Sequence, residues 1–161
     1  MNKEMAIRNV TPMDHARVIA VMPAWWGGRD LTASVQKLFF IHFANTSFIA
    51  EARDELVGFL IGFLSQAEED VGYIHFAGVH PDYRKAGLGR VMFEKFFEVC
   101  KAHRRWVVKS CTSPVNKLSI AFHQHMGFAI EAGDGMVDGV PVSMNFLRAN
   151  DPKVLFRKEL K

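Results

Sequence analysis

The sequence predicts a mixed α/β (α+β) fold in which residues 1–161 form one domain. Three patterns carry this prediction. A strand pattern precedes a helix pattern at the start of the chain, the strand patterns Ser47–Ala52 and Leu56–Ser65 are separated by a tight turn, and residues 72–111 follow the order strand, helix, strand. A length of 161 residues and a hydrophobic content of 49% are typical of one globular domain.

The first third of the chain predicts one strand and two helices. Met5–Val10 alternates as a strand does, and Asp14–Met22 has helical spacing after a cap and a first-turn proline. Pro23 is predicted to end this helix because proline lacks a backbone N–H. Trp25–Gly28 is predicted to be a loop, and Leu31–Phe43 a second helix with apolar residues at helical spacing.

The middle of the chain predicts a hairpin and a βαβ unit. Arg53–Glu55 joins the two hairpin strands, which must therefore be antiparallel. Gly72–Val79 is rich in aromatic and β-branched residues, Gly87–His103 has one apolar helical face, and Trp106–Cys111 has a strand pattern. This order predicts two strands linked by a crossover helix.

The last third predicts one more helix and two more strands. Ser113–Pro114 is predicted to cap and begin a helix that ends near Gly127. Phe128–Glu131 is predicted to begin the next strand, and Val140–Leu147 to be the last one. The tail Asn150–Lys161 is assigned no role.

Composition and charge exclude several classes of function. The net charge of +3 is small, and the basic residues are scattered without the stripe that a nucleic-acid binder needs. The apolar stretch Leu56–Leu64 is too short to cross a membrane and the N-terminus lacks a signal-peptide core, so a cytoplasmic protein is expected. Cys100 and Cys111 lack metal-ligand spacing, and His123 and His125 point in different directions on a helix, so no metal site is predicted.

The segment Arg84–Arg90 has the features of an anion-binding turn. It lies between a predicted strand and a predicted helix, where free N–H groups and the positive end of the helix dipole converge. Gly87 and Gly89 lack the Cβ atoms that would keep a phosphate away from the backbone. The side chains of Arg84, Lys85 and Arg90 add positive charge. A flexible turn with surface cations is the alternative.

Two other phosphate-binding motifs do not fit this turn. A dinucleotide fingerprint needs a third glycine where Met92 stands and an acidic residue near Val107 and Val108. A P-loop needs a Gly-Lys pair, which the sequence does not contain.

The turn and its surroundings resemble the GNAT superfamily of acyl-CoA-dependent N-acyltransferases. Arg84, Gly87 and Gly89 match its Arg/Gln-x-x-Gly-x-Gly/Ala signature, and Asn116 and Met126–Phe128 follow at the family's customary spacing. The order of elements is also similar, so the resemblance covers nearly the whole chain. It implies a largely antiparallel central sheet flanked by helices around the βαβ unit, with acetyl-CoA as cosubstrate and no metal.

The resemblance implies which residues bind the cofactor. The N–H groups of the turn would hold the CoA pyrophosphate, from Lys85, Ala86, Gly87, Leu88, Gly89 and Arg90. The strand backbone of Ala77, Gly78 and Val79 would splay and pair with the pantetheine arm, and one of its N–H groups would polarise the thioester carbonyl. Asn116 would hydrogen-bond the same arm, or serve only as a polar residue in the helix's first turn.

Two histidines are candidates for moving protons. His75 stands at a position similar to that of the general base in some family members; a hydrogen-bonded core histidine is the alternative. His123 stands where members often carry the tyrosine that protonates the departing thiolate. A thiol pKa of about 8.5 lets the thiolate leave readily, so His123 acts as this acid or only hydrogen-bonds the sulfur or pantetheine. Trp25, Trp26 and Tyr73 are predicted to border the acceptor, with core or dimer packing as the alternative for the tryptophans.

The resemblance implies an N-acetyltransferase that moves an acetyl group from acetyl-CoA to a primary amine by direct attack in a ternary complex. The acceptor is a small-molecule or peptide amine whose identity stays open, and a homodimer is consistent with the family. The alternative is a CoA-binding regulatory or interaction module without turnover.

Overall fold

The structure is a computed structural model that describes residues 4–161. Its strands are β1 (Met5–Asn9), β2 (Phe48–Ala52), β3 (Glu55–Leu64), β4 (Val71–Val79), β5 (Val107–Thr112), β6 (Ala129–Ile130), β7 (Gly135–Val137), β8 (Val140–Val142) and β9 (Val154–Glu159). Its α-helices are α1 (Asp14–Trp25), α2 (Lys37–His42), α3 (Leu88–Ala102) and α4 (Lys117–His125). Short 3-10 helices cover Thr32–Ser34, Ala44–Thr46 and Pro81–Ala86.

Seven strands form one sheet in the order β1-β2-β3-β4-β5-β9-β6, and β7 and β8 form a separate hairpin. Neighbouring strands of the large sheet are antiparallel except β4 and β5, which run parallel with α3 between them in the chain. The predicted mixed, largely antiparallel sheet and its central βαβ unit are therefore confirmed. So is the hairpin of β2 and β3, whose turn residues Arg53 and Asp54 have φ angles of 51° and 65°, as a two-residue type I′ turn requires.

The two faces of the sheet bury different helices. α3 packs on one face through Met92 and Phe96, whereas α1 and α2 cover the other face through Met22 and Phe40. The side chains of residues 59–61 of β3 pack alternately into the cores on the two faces, because successive side chains of a strand point to opposite sides.

The helix α3 lies unusually close to the sheet at two glycines. A Cβ at Gly62 would lie 2.5 Å from the Phe96 ring, and a Cβ at Gly72 would overlap the Cys100 thiol. Cys100 is itself fully buried, so neither neighbour has free space to move into. These glycines therefore set the distance between helix and sheet.

Two predictions about the first third of the chain were wrong. α1 continues through Pro23 to Trp25, because a proline in the last turn interrupts a single helical hydrogen bond there. Leu31–Phe43 is not one helix, since a 3-10 turn precedes the short α2. Val35 lies between them, fully buried, and its polar and β-branched neighbours favour a break.

Predictions for the last third also need correction. Ser113–Pro114 belongs to a turn in which the Asn116 N–H bonds to the Ser113 carbonyl at 3.0 Å, and Asn116 is the residue that caps α4. Of the predicted strand Val140–Leu147, only the first three residues are strand. The last strand, β9, lies within the tail that was assigned no role, and it pairs with both β5 and β6.

The parallel strands β4 and β5 separate partway along their length. Their pairing covers Val71–Ile74 of β4 and ends at Ser110 of β5. β4 then continues to Val79, paired only with β3 on its other side. The last five residues of β4 thus leave one row of backbone groups without a strand partner.

Within residues 4–161, no helix combines the length and apolar character needed to cross a membrane.

The packing of α3 predicts that Gly62→Ala destabilises the fold. The added methyl group must displace Phe96 in a filled core, which costs about 1–3 kcal/mol. Gly135→Ala is the matched control, because the Cβ there meets its neighbours at 3.4 Å, an ordinary contact. Urea unfolding should show a lower midpoint for Gly62→Ala alone, and equal midpoints would contradict this account.

Candidate active site

A cleft of about 480 Å³ opens where β4 leaves β5. Its walls come from the turn after α1, the end of β4, and the first turns of α3 and α4. The lining residues are Trp25, Trp26, Gly27, Arg29, Ala77, Gly78, Val79, Arg84, Gly89, Met92, Phe93, Asn116, Leu118, Ser119, Phe122 and His123.

The first turn of α3 supplies unpaired backbone donors beside this cleft. Gly87 caps the helix with a left-handed φ of 81°, and no atom lies within 4 Å of the position that its Cβ would take. The N–H groups of Leu88, Gly89 and Arg90 follow, and the first N–H groups of a helix have no intrahelical acceptor. Gly89 lines the cleft, whereas the Leu88 side chain is buried in the core.

The donors that the resemblance implies lie on two different elements. Lys85 and Ala86 belong to the 3-10 helix Pro81–Ala86, whereas Leu88, Gly89 and Arg90 belong to the first turn of α3. N–H groups inside a 3-10 helix bond to the carbonyl three residues earlier, whereas those of the first turn of an α-helix have no intrahelical acceptor.

Two of the three cationic side chains predicted for the turn bond to other groups of the protein. Arg84 lines the cleft, but its guanidinium donates to the carbonyls of Val79 and Trp25. Arg90 forms an exposed ion pair with Glu94 at 2.8 Å. Lys85 is exposed and lies outside the cleft lining.

The end of β4, which is paired with β3 but has no strand partner on the side of β5, forms the floor of the cleft. Ala77, Gly78 and Val79 all line it. Gly78 has no room for a side chain, because its Cβ would lie 2.6 Å from the Trp26 ring. Trp26 therefore lies directly on the strand backbone, while Trp25 is mostly buried and stacks on Phe59 at 5.9 Å.

On α4, His123 is the buried centre of a hydrogen-bonded chain. Its Nδ1 lies 2.8 Å from the Ser119 carbonyl, which can only accept, so Nδ1 carries the proton. Nε2 then accepts from the Ser110 hydroxyl at 3.2 Å. The ring stacks on Phe156 with centroids 4.1 Å apart. Burial lowers the pKa of His123 to about 4, so the imidazole is neutral at pH 7.

Asn116 has a local partner as well as a position in the cleft. Its side-chain oxygen accepts from the Ser119 N–H at 3.1 Å and caps α4. The capping bond leaves the amide nitrogen for other partners.

His75 and Tyr73 do not line the cleft. His75 is the extra residue of a bulge, since Ile61 pairs with Phe76 and Gly62 with Ile74. Its Nε2 donates to the Ser34 carbonyl at 2.7 Å, its ring stacks on Phe39, and burial lowers its pKa.

The Tyr73 side chain packs in the same aromatic layer. Its ring stacks on Phe63 at 5.4 Å, and its hydroxyl is buried beside Cys111 without a partner at hydrogen-bonding distance and angle. Burial, together with the nearby thiol, raises the Tyr73 pKa.

Several residues that line the cleft were not predicted from the sequence. Arg29 lines the wall of the cleft that the turn after α1 forms. The sequence signal for this turn was the preceding pair Gly27-Gly28, whose φ angles of 63° and 86° make the turn tight. Phe122 lines the cleft one residue before His123, where helical periodicity alone gave no reason to separate it from the core.

Comparison with known protein families identifies the chain. The sequence model of the acetyltransferase (GNAT) family matches residues 18–128, which are more than half of the sequence. The chain belongs to the GNAT family. The signature residues Arg84, Gly87 and Gly89 lie inside the matched range, so the resemblance drawn from them is confirmed.

Curated relatives of this GNAT chain match only part of their own length. An uncharacterized N-acetyltransferase from Methanocaldococcus jannaschii is 32% identical over 85 residues, which are 50% of this chain and 38% of that protein. An L-2,4-diaminobutyric acid acetyltransferase from Shouchella clausii is 32% identical over 87 residues, 53% of this chain and 48% of that protein. The match thus spans less than half of either relative.

Solved structures share the GNAT fold over nearly the whole chain. A GNAT-family protein from Desulfovibrio desulfuricans has a TM-score of 0.78 at 22% identity, covering 98% of this chain and 99% of that one. An Arabidopsis thaliana protein in complex with the bisubstrate analogue CoA-Ac-MVNAL scores 0.75 at 17% identity, with 98% and 99% coverage. Diaminobutyrate acetyltransferase from Paenibacillus lautus, with its substrate and coenzyme A, scores 0.66 at 19% identity, with 96% and 95% coverage.

The low pKa of His123 predicts a pH-dependent stability. The unfolded value is 6.5 and the folded value about 4, so the unfolded state binds more protons in between. The stability that this group contributes is complete above pH 6.5 and is lost as the pH falls towards 4. Between pH 7 and pH 5 the loss should be about 2 kcal/mol.

Urea unfolding of His123→Phe at both pH values checks this prediction. Phenylalanine preserves the stack on Phe156 but cannot bind a proton, so the variant should lose less stability on acidification. His125→Gln, on the exposed side of the same helix, is the control and should behave as the wild type. A His123→Phe variant with the full wild-type pH dependence would contradict the assignment.

Proposed function

We propose that this GNAT chain transfers an acetyl group from acetyl-CoA to a primary amine by direct attack in a ternary complex. The observation that carries the proposal is the meeting of two sets of unpaired backbone groups in one cleft. The first turn of α3 offers N–H donors beside Gly87, and the end of β4 offers a strand edge without a strand partner at Ala77–Val79, where Arg84 bonds to the Val79 carbonyl. When bound, acetyl-CoA supplies the acetyl group as a thioester.

The residues of the cleft fit this cosubstrate in two places. The open space at Gly87 and the N–H groups of Leu88, Gly89 and Arg90 suit a diphosphate, which is attracted to the positive end of α3. The edge Ala77–Val79 suits the amide groups of a pantetheine arm, and Asn116, whose amide nitrogen is not used by the capping bond, lines the same cleft. A backbone N–H of β4 would hold the thioester carbonyl and stabilise charge that develops on its oxygen.

Direct attack is favoured because no thiol lines the cleft, and because the Ser119 hydroxyl there lies beside the protonated Nδ1 of His123, which cannot take its proton. Neither cysteine lines it. Burial raises the pKa of Cys100 to about 12 and also raises the pKa of Cys111, so both thiols are protonated at pH 7. Ser110 is buried, and its hydroxyl proton is directed to His123.

Proton transfer is assigned differently from the sequence-based expectation. His123 is neutral at pH 7 and its single N–H is bonded to Ser119, so we propose that it orients the cleft instead of acting as an acid. His75 also stays neutral, and only its Nδ1 is free to accept a proton, by way of water, because Nε2 donates to Ser34. Tyr73 is proposed as support for this aromatic layer.

For the acceptor we propose a small-molecule or peptide amine. A relative acts on L-2,4-diaminobutyric acid, and a protein of the same fold binds a CoA–peptide conjugate. Thiol release from acetyl-CoA should therefore be measured with L-2,4-diaminobutyric acid and with the peptide Met-Val-Asn-Ala-Leu, together with a panel of simple amines. Release that depends on one acceptor supports the enzyme, whereas binding of acetyl-CoA without release on any acceptor favours the regulatory module.

The phosphate site is tested by Gly87→Asp against Gly87→Asn. Both side chains cap helices and tolerate left-handed backbone, and no atom obstructs them. Only aspartate places a negative charge beside the diphosphate, so acetyl-CoA should bind at least about tenfold more weakly to Gly87→Asp than to Gly87→Asn. Calorimetric titration measures both values, and equal affinities would contradict this site.

A further inference from the structure

Arg84 holds the first position of the family signature, yet its guanidinium bonds to protein carbonyls on both sides of the cleft. Nε donates to the Val79 carbonyl at 3.2 Å, and a terminal nitrogen donates to the Trp25 carbonyl. Val79 ends β4 and Trp25 ends α1. One side chain therefore joins two walls that belong to distant parts of the sequence.

The end of α1 and the turn after it pack on the sheet through the rings of Trp25 and Trp26, which contact Phe59, Phe76 and His80. The Trp26–Arg29 turn passes through Gly27 and Gly28, and no atom lies within 4 Å of the Cβ position of either. Its backbone bonds are local, such as the bond from the Gly28 N–H to the Pro23 carbonyl at 2.7 Å. Among the described residues, Arg84 adds to these ring contacts the hydrogen bonds that join the last residue of α1 to the last residue of β4.

The end of α1 explains why an arginine suits this position. The last carbonyls of a helix lack N–H partners and carry the negative end of its dipole. The last turn of α1 contains no basic residue, so Arg84 supplies the complementary charge from across the cleft. A guanidinium can donate to two carbonyls in a fixed geometry, which a lysine ammonium cannot reproduce.

We propose that Arg84 is a positioning residue that ties the end of α1 to the end of β4 and so sets the separation of the cleft walls. Its side chain then serves the protein's own carbonyls, while the diphosphate is left to the N–H groups of α3. The tether joins groups of the protein itself and needs no ligand to form. Only its effect on catalysis rests on the proposed function.

Tryptophan fluorescence tests the tether without any ligand. In a Trp106→Phe background, Trp25 and Trp26 are the remaining tryptophans. Arg84→Met should raise their quenching by acrylamide about twofold, because a turn that has lost its tether opens more often. Unchanged quenching overturns the proposal.

Arg105→Met is the matched control for a merely structural effect. Arg105 also bridges two carbonyls, those of Ser65 at 2.8 Å and Glu68 at 3.1 Å, but at the far end of the sheet from the cleft. Its loss should lower the unfolding midpoint as Arg84→Met does, while the quenching of Trp25 and Trp26 stays at the parent value. Equal quenching changes in both variants would overturn the proposal.

Kinetics separate the tether from a phosphate contact. Arg84→Met and Arg84→Lys should both lower kcat about tenfold or more, since small misplacements in a site are costly, with the CoA dissociation constant within about threefold of wild type. A phosphate ligand would behave otherwise: Arg84→Met would weaken CoA binding and Arg84→Lys would restore it, which would overturn the proposal. If wild-type protein shows no transfer, the proposed function fails, and the quenching result still decides the tether.

Discussion

The close approach of α3 to the sheet is the constraint on which the rest of the structure depends. Gly62 and Gly72 leave no room for a Cβ, so Phe96 and Cys100 of the helix lie directly on β3 and β4. A Cβ at Gly58 would also crowd Met92 at 3.0 Å and Leu88 at 3.1 Å near the start of α3, so the helix is held at both ends and has little freedom to tilt. Its first turn consequently arrives beside the end of β4, at the level where β4 has already separated from β5. The donors of a helix start and a free strand edge meet because of this packing.

The cleft that results is built from backbone groups and neutral side chains more than from charges. His123 is neutral, and its ring is fixed by Ser110, by Ser119 and by the stack on Phe156. Oriented dipoles of this kind need no rearrangement when charge develops nearby, which is how preorganised sites stabilise transition states. The burial and the fixed hydrogen bonds of His123 are what the proposal of an orienting role rests on.

The sequence predicted those parts whose signals are local. The hairpin turn at Arg53-Asp54, the βαβ unit and the turn at Gly87 each follow from residues that lie close together in the chain. Contacts between distant segments were beyond reach, as for Arg84, whose partners are carbonyls that no side-chain pattern reveals. His75 was a candidate base from its likeness to a family position, with a hydrogen-bonded core histidine as the alternative, and the bulge that places it against Ser34 has no sequence signature.

The missed strand β9 is a different case, because a signal was present. Val154 and Phe156 alternate with less buried residues, as in a half-buried strand, although basic residues within it lowered the hydrophobic contrast. β9 lies between β5 and β6, which do not pair with each other. During synthesis, β1 to β5 can pair with one another, but β6 stays unjoined to β5 until β9 emerges and fills the gap. The wall behind His123, to which Phe156 belongs, is then completed late, so a nascent chain acquires the turn at Gly87 before its finished cleft.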